Sequence, residues 1–398
     1  MDGYEEMLVL EEKMDELRSC LEKLKILLEE VKKDRKLRKI ARDGDGDGGD
    51  DDDDSDMGDA YFWNELLERI QGDFKKAKRD SRTTPCTFST APKLFGEAYV
   101  YRRLKGCFES SLWWKDFDPF ARKKYDSFLR SREDNLYVSS LFAESVTYGE
   151  CLFPWEYEDT IKDSFYELTR VYLCSMAYGQ TKPTKNVSTD IIDRLWAIIS
   201  RANGAGLDIV LGDSGQELFR DIAYADFLLQ TGLASRVRLH GKRISYFVSE
   251  ATKSDFEWLV RSLSDKKLFP VASHEYIESL RGRINTHRSA GKLVFEDHPF
   301  WSTGYTFWDL PIQAPDLFRQ LSLSNSHLVL FKGELNYRKL THNISVKDSA
   351  VSFDQKIGPL GHYGRIVGRA EFEMPVVVSF WRKDGEPLVD ISDGPFGV

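Results

Sequence analysis

Three short polar turns in the second half of the chain carry the side chains best suited to chemistry. They are Gly212-Asp213-Ser214-Gly215, Ser249-Glu250-Ala251-Thr252 and the run from Lys332 to Lys339, KGELNYRK. Apolar runs precede them, LDIVL before the first and HLVLF before the third, and helical spacing follows the first two. Strands alternating with helices make a mostly parallel sheet covered on both faces. In such sheets ligands bind at the carboxyl ends of the strands. The three turns are therefore expected to meet at that edge and form one cleft. Lys332, Asn336 and Arg338, basic and amide side chains on a turn after a strand, suit a phosphate or another anion. The plainer reading is a solvated loop with ordinary ion pairs. His298, beside Pro299 and aromatic residues, reads as structural rather than catalytic.

The elements that must position these turns can be read from spacing. GQELFRDIAYADFLLQTG has the pattern of an amphipathic helix ending at Gly232. SRVRLHGKRISYFVSEATKSDFEWLVRSL repeats the cycle of strand, turn and helix, and SHLVLFKGELNYRKL adds a further strand and turn. Upstream, from Ala60 to about Gly179, the pattern is helical and rich in aromatics, which read as core. Lys182 to Ser188 reads as a loop and Asp190 to Ile199 as a helix. At the start of the chain Leu10, Met14, Leu17, Leu21, Leu24, Leu28 and Val31 alternate by four and three residues along one seam. That pattern fits either a short coiled coil between two copies or a single helix packed on its own domain.

Asp43 to Asp59 is almost pure Asp and Gly. Asp43, Asp45, Asp47, Gly48 and Asp54 imitate the spacing of a calcium-binding loop. Asp54 is too short for the bidentate twelfth position, and Asp50 stands where an apolar residue belongs, so the segment reads as a disordered acidic linker. The expected organisation is a helix at 1–42, this linker at 43–59, a helical portion at 60–200 and an α/β domain at 201–398. Residues 1–58 are expected to be dispensable for folding.

Composition narrows the partners. Hydrophobic residues at 41% provide ample core. The net charge of -9 comes largely from the acidic run and leaves a near-neutral remainder, which argues against nucleic acid. No apolar stretch reaches the length of a membrane helix, and the acidic N-terminus lacks the order of a secretory signal. Cys20, Cys86, Cys107, Cys151 and Cys174 are odd in number and scattered, as expected for reduced thiols in the cytoplasm. The Asn-x-Ser sites at Asn186 and Asn343 are then without consequence.

The runs IVLGDSGQELFRDIAYADFLL, YFVSEATKSDFEWL, DHPFWSTGYTFWDLP, APDLF and LFKGELNYRKLT resemble, in order and spacing, the damage-control phosphatases. The sugar-phosphate branch is the most similar. The resemblance runs from about Ala91 to the C-terminus and is strongest from Ile209 to Thr341. It implies a three-layer α/β/α Rossmann-like sandwich with a helical N-terminal portion. It also implies one divalent ion (manganese, nickel, cobalt or magnesium) and removal of phosphate from a small phosphorylated metabolite. A debated methyltransferase activity is attributed to the same branch, but no glycine-rich strand-turn-helix fingerprint supports a cofactor site for it here.

The family's site does not carry over intact. Its Asp-Asn metal pair is Gly212-Asp213 here, and its third ligand, an Asp, is Glu250. The resemblance thus leaves Asp213 and Glu250 as the metal-holding and catalytic residues. Lys332, Glu334, Asn336, Tyr337 and Arg338 fall on the phosphate-cradling run, with Glu334 in place of Asp. Arg369, or Arg365, stands in for the branch's Arg-Thr-x-Lys signature, and Gly304-Tyr305 replaces an expected Pro-His. A hard divalent cation needs several oxygen ligands at close range. Gly212 offers none, and Glu250 reaches roughly an ångström further than Asp would. The ion is expected to bind weakly or to be lost. Three readings follow: a phosphatase with altered ligands, a repurposed biosynthetic enzyme using the same cleft, or a non-catalytic pseudo-phosphatase.

Overall fold

The computed structural model describes residues 2–41, 59–76, 85–151, 154–174, 189–201, 204–269, 271–323, 326–342, 352–360, 376–381 and 387–391. The calcium-loop-like run at 43–54, the loop expected at 182–188, Arg365 and Arg369 lie outside these residues. The chain divides into two compact units. One comprises Met1–Pro119 with Ile244–Val248 and Ser302–Tyr305; the other comprises Phe120–Arg243, Ser249–Trp301 and Thr306–Val398.

The first unit holds helices α1 (Asp2–Lys32), α2 (Ala60–Lys76) and α3 (Lys93–Gly106). Helix α1 buries Cys20 and Leu27 against Cys107 and Phe108, with Leu24 and Val31 beside them. Past its end Leu37 and Ile40 are buried, and the Leu37 N–H donates to the Cys86 carbonyl at 2.9 Å. Arg103 pairs with Glu30 at 2.8 Å. These contacts tie the described part of residues 1–58 into the first unit, against the expectation that the segment is dispensable for folding. The buried stripe runs through Cys20 and Leu27, one row off the seam read from the sequence, and part of that seam (Leu10, Met14, Leu21, Leu28) is exposed. Around Trp63, Phe95 and Tyr99 the unit packs aromatic rings against one another. Gly304 belongs to this packing: a Cβ there would lie 2.6 Å from Phe95 and 3.0 Å from Trp63, so no larger residue fits.

The second unit carries the sheet. In chain order it comprises α4 (Ala121–Arg130), α5 (Arg132–Cys151), α6 (Pro154–Cys174), α7 (Thr189–Arg201), β1 (Gly206–Val210), α8 (Gln216–Gln230), β2 (Val237–His240), α9 (Lys253–Ser262), α10 (Val271–Ser289) and β3 (Leu293–Glu296). There follow α11 (Leu310–Gln313), α12 (Pro315–Leu323), β4 (Ser326–Lys332), α13 (Glu334–Leu340), α14 (Phe353–Lys356), β5 (Val376–Trp381) and β6 (Pro387–Ile391). The strand order is β3-β2-β1-β4-β5-β6; all neighbours are parallel except β5 with β6. This is the mixed α/β architecture expected, with β1 central and the chain reversing direction across the sheet between β1 and β4, where a ligand crevice belongs.

Helices between 121 and 201 share this core. Phe128, Phe142, Phe165 and Leu195 pack in one cluster with Ile209, Leu239 and Leu330 of the strands. The units thus divide near Pro119 rather than at residue 200. Helix α8 differs from its expected amphipathic form: every residue from Glu217 to Leu229 is buried. Its charged residues are tolerated because partners come with the covering helices. Asp226 pairs with Arg283 of α10 at 2.8 Å, and Asp221 accepts a hydrogen bond from Tyr172 of α6 at 2.7 Å.

Candidate active site

The three polar turns meet. The Ala251 N–H donates to the Gly212 carbonyl at 2.8 Å, the Ser214 N–H donates to the Ser249 carbonyl at 2.6 Å, and Asp213 and Glu250 form a backbone bridge. The Ser249 hydroxyl donates to Asp213 Oδ1 at 2.8 Å. Asn336 ties in the third turn: its amide nitrogen donates to the carbonyls of Lys332 (2.6 Å), Leu211 (2.9 Å) and Val210 (3.2 Å). The fully buried Lys242 joins all three, donating to the Leu211 carbonyl and to Asn336 Oδ1, each at 3.2 Å, and pairing with Glu250 Oε2 at 3.1 Å. Chain geometry around Glu250 is constrained from the other side as well. Phe247 and Val248 both have left-handed φ, 44° and 71°. That conformation is unfavourable for any L residue and most so for a β-branched one.

Gly212 is enclosed by this convergence. A Cβ at that position would lie 2.9 Å from the Lys332 carbonyl oxygen and 3.2 Å from Glu217 Oε1. The missing family carboxylate is thus not simply deleted; the main chain of the third turn and the Glu217 side chain lie against the space it would enter. Glu217, in the first turn of α8, points back at the site. Its Oε2 accepts from the Asp213 N–H at a long 3.4 Å, while the buried Oε1 accepts no hydrogen bond and lies 3.7 Å from the Lys332 ammonium.

Burial sets the electrostatics. It raises the pKa of Asp213, against the Ser249 hydrogen bond and nearby lysines. Burial, with the Asp213 charge adding to it, pushes Glu250 up to about 6, while Lys242 opposes the shift. Glu217 is driven well above the usual carboxylate range, chiefly by burial and then by Asp221, Asp213 and Glu250, with Lys332 opposing. Carboxylates that are buried, mutually repelling and short of donors are costly in the ionised form.

Other residues expected at the site have varied placements. Lys332 is buried, with its ammonium 4.1 Å over the Tyr172 ring. Asn336 is buried and its amide is spent on backbone carbonyls, so its role in this structure is to join strand ends. Tyr337 is buried, Arg338 half-buried and Glu334 exposed. Lys339 is buried, donates to the Trp301 carbonyl at 3.2 Å, and has its pKa pushed well down by burial. His298 accepts from the Phe300 N–H at 3.2 Å and lies 3.4 Å from Asp316, as a structural residue would. Sequence reading missed Glu217, Lys242 and Asp221. The only available signal was charge inside otherwise apolar helices or just past a strand, which ordinary surface charges also show.

A divalent ion is what the family resemblance implies. Among the described residues no three His, Cys, Asp or Glu side chains are already drawn together as a ligand set. The donors nonetheless fit in kind. Glu217 Oε1 is a buried oxygen without a hydrogen bond, and Glu250 Oε2 pairs with the Lys242 ammonium at 3.1 Å, beside the half-buried Asp213 carboxylate. Oxygen-only donors of this type suit a hard cation.

A parallel α/β sheet with buried carboxylates at its strand ends thus defines an enzyme-like class of fold and site. A sequence profile of the damage-control phosphatase ARMT1-like domain matches residues 4–352, and the chain belongs to that family. Damage-control phosphatase ARMT1 of Danio rerio is 31% identical over 325 residues, spanning 75% of this chain and 68% of its own. The Homo sapiens protein of that name is 30% identical over 308 residues, 71% and 66% of the respective chains. A solved DUF89 family protein from Pyrococcus horikoshii covers 80% of this chain and 89% of its own at 13% identity and a TM-score of 0.32, too low to support an argument. Because the match begins at residue 4, the N-terminal helix lies within the family domain, well ahead of the onset expected near Ala91.

Proposed function

We propose that this chain is a metal-supported phosphatase, or a close derivative of one, acting on a small phosphorylated metabolite at the cleft between the three turns. The observation that carries this reading is the bridge that brings Asp213, just past β1, against the buried Glu250, beside the carboxyl ends of the central parallel strands. Asp213 and Glu250 would hold a manganese, nickel, cobalt or magnesium ion. When bound, such an ion supplies Lewis-acid polarisation of a phosphoryl oxygen.

The chain's own residues then have distinct tasks. Lys242 neutralises Glu250 and locks its direction. Asn336 keeps the ends of β1 and β4 together. Arg338, half-buried on the third turn, would meet an anion, and Glu334, exposed on the same turn, would restrict how much negative charge can approach. Lys332 acts from behind, offsetting Glu217. The altered ligands favour weaker ion binding than in relatives that keep the Asp-Asn pair. Cytoplasmic location is consistent with the free thiols of Cys20, Cys86 and Cys107. The exposed row Leu10, Met14, Leu21 and Leu28 would serve self-association; Leu21→Glu should then lower the sedimenting mass.

The decisive experiment loads purified protein with Mn2+, measures bound metal, and assays phosphate release from a panel of sugar phosphates. Asp213→Ala and Glu250→Ala should each abolish release. Protein that binds metal and still releases no phosphate from any of the panel would favour the repurposed or non-catalytic readings over this one.

A further inference from the structure

We infer that Tyr101 is a positioning residue for Glu250: through Phe247 it holds a strained bend of the chain that aims Ser249 and Glu250 at the first turn. Its effect on catalysis rests on the reading above, in which Glu250 acts at the site. The bend itself is a matter of backbone geometry.

The strain is particular to this place. Among the described residues four that are not glycine have left-handed φ: Asp34, Phe247, Val248 and His342. Asp and His enter that region more readily than most side chains, and Asp34 and His342 stand singly. Phe247 and Val248 are consecutive, one bulky and the other β-branched. Such a pair persists only where its surroundings over-determine it.

Those surroundings lie in the first unit. Ile244–Val248 belongs to that unit, although the chain on either side belongs to the second. The Tyr101 ring of α3 stacks on Phe247, with centroids 4.9 Å apart and planes 25° from parallel. Tyr246 packs edge-on against the same ring at 4.9 Å and lies 6.1 Å from Tyr101. Tyr246 is fully buried, and its hydroxyl donates to the Thr303 carbonyl at 2.9 Å. Thr303 is part of Ser302–Tyr305, the other short segment that joins the first unit.

The base of this excursion is fixed as firmly as its tip. The Lys242 N–H donates to the Ala251 carbonyl at 2.8 Å, and Lys242 forms a backbone bridge with Thr252. Between the two anchors, the bend at Phe247 and Val248 sets where the next residues face. Ser249 meets the first turn twice, its carbonyl accepting from the Ser214 N–H at 2.6 Å and its hydroxyl donating to Asp213 Oδ1 at 2.8 Å. Glu250 follows, bridged to Asp213, and the Ala251 N–H donates to the Gly212 carbonyl at 2.8 Å. Relaxing either strained residue to an ordinary φ would turn the following peptide and break these bonds. The first unit thus sets the geometry of the second turn through the chain itself.

The test is hydrogen–deuterium exchange on the full chain, read by mass spectrometry in peptides containing the Ser214 and Ala251 amides. Phosphate release from the sugar-phosphate panel is measured alongside. Tyr101→Ala should speed exchange at both amides on the order of tenfold. Tyr101→Phe, which keeps the ring, should leave them as in wild type. Tyr101→Leu, which fills more of the space without a ring, should act like the Ala variant and decides the matter if that variant fails to fold. In a Val248→Gly background the loss of the ring should matter less, because the strain it restrains has gone. On phosphate release, Tyr101→Ala should lower kcat more than it raises KM. A tyrosine that merely stabilises its own unit would speed exchange in peptides of α2 and α3 and leave Ser214 and Ala251 unchanged. That result, or an equal effect with and without Val248, overturns the assignment. Wild type that releases no phosphate overturns the reading above, while exchange at Ser214 and Ala251 still decides whether Tyr101 positions the turn.

Discussion

Two buried polar clusters, one on the central strand and one beside its carboxyl end, have opposite fates. In the middle of β1, Asp208 receives a bidentate pair from Arg238 at 2.6 and 2.7 Å and a further hydrogen bond from His240 at 2.8 Å. Burial alone would raise its pKa, but His240 and Arg238 outweigh burial and hold it below the usual value. Just past the end of the same strand, Asp213, Glu217 and Glu250 are all pushed upward, because burial there is not matched by donors. Both clusters are charged and both are largely enclosed. What separates them is completeness: a buried carboxylate with a full set of partners joins the scaffold, and one without is held ready for something from outside.

Removing Asp208 should have the largest effect. Asp208→Ala leaves Arg238 buried without its carboxylate, at an expected cost of about 3–5 kcal/mol in urea unfolding. A loss comparable to that of an ordinary surface change would erase the distinction drawn here.

Acid should act on the two clusters in opposite directions. Glu250 is raised from its ordinary 4.5 to about 6, so the folded state binds its proton more tightly than the unfolded state does. Metal-free stability should therefore decline as pH rises from about 4.5 through 6, by about 2 kcal/mol at most. Glu250→Gln should flatten that slope. Asp208, held below its ordinary 3.8, contributes stability that is present above that value and disappears as pH falls through its lower folded pKa. Equilibrium unfolding across pH 3–7 reads both signs in one series.

Restoring the family residue at position 212 should harm rather than help. Gly212→Asp, and even Gly212→Ala, places a Cβ 2.9 Å from the Lys332 carbonyl. The expected loss is about 1–3 kcal/mol with no gain in Mn2+ affinity. A stable Gly212→Asp variant with tighter Mn2+ binding would show that the turns can separate, and that enclosure does not explain the glycine.

The smallest effect is expected at Val248, whose left-handed φ of 71° lies two residues before Glu250. Val248→Gly should relieve about 1 kcal/mol of backbone strain while loosening the turn and lowering Mn2+ affinity. No residue of β1 or β2 has such a conformation, so glycine substitution in the Asp208 network should only destabilise.

Several elements could be read without coordinates because they are local. LDIVL followed by GDSG, and HLVLF followed by KGELNYRK, announce strand then turn through apolar runs and glycine, and the order of those turns carried the family. Asp213, Glu250 and Lys332 were placed at one edge for the same reason, since successive parallel strands present their carboxyl ends together. The strand at Leu293–Glu296 escaped notice. The N-terminal seam was legible as a helix, but the stripe it buries was not, because Cys20 and Leu27 matter only once Cys107 and Phe108 are opposite them.

Sequence alone therefore determined the parallel α/β plan, the three turns and the loss of the family's first carboxylate. Tertiary structure alone decided which charges are satisfied. Asn336 became a tie between strands because three carbonyls arrived within its reach, and Lys242 became the counter-ion of Glu250 because β2 runs beside β1. Glu217 came to stand against Gly212 because the turn at Gly215 folds α8 back over it. The physical reason is general: residue type fixes what a side chain can donate or accept, while burial and partners drawn from distant segments fix whether that capacity is already spent.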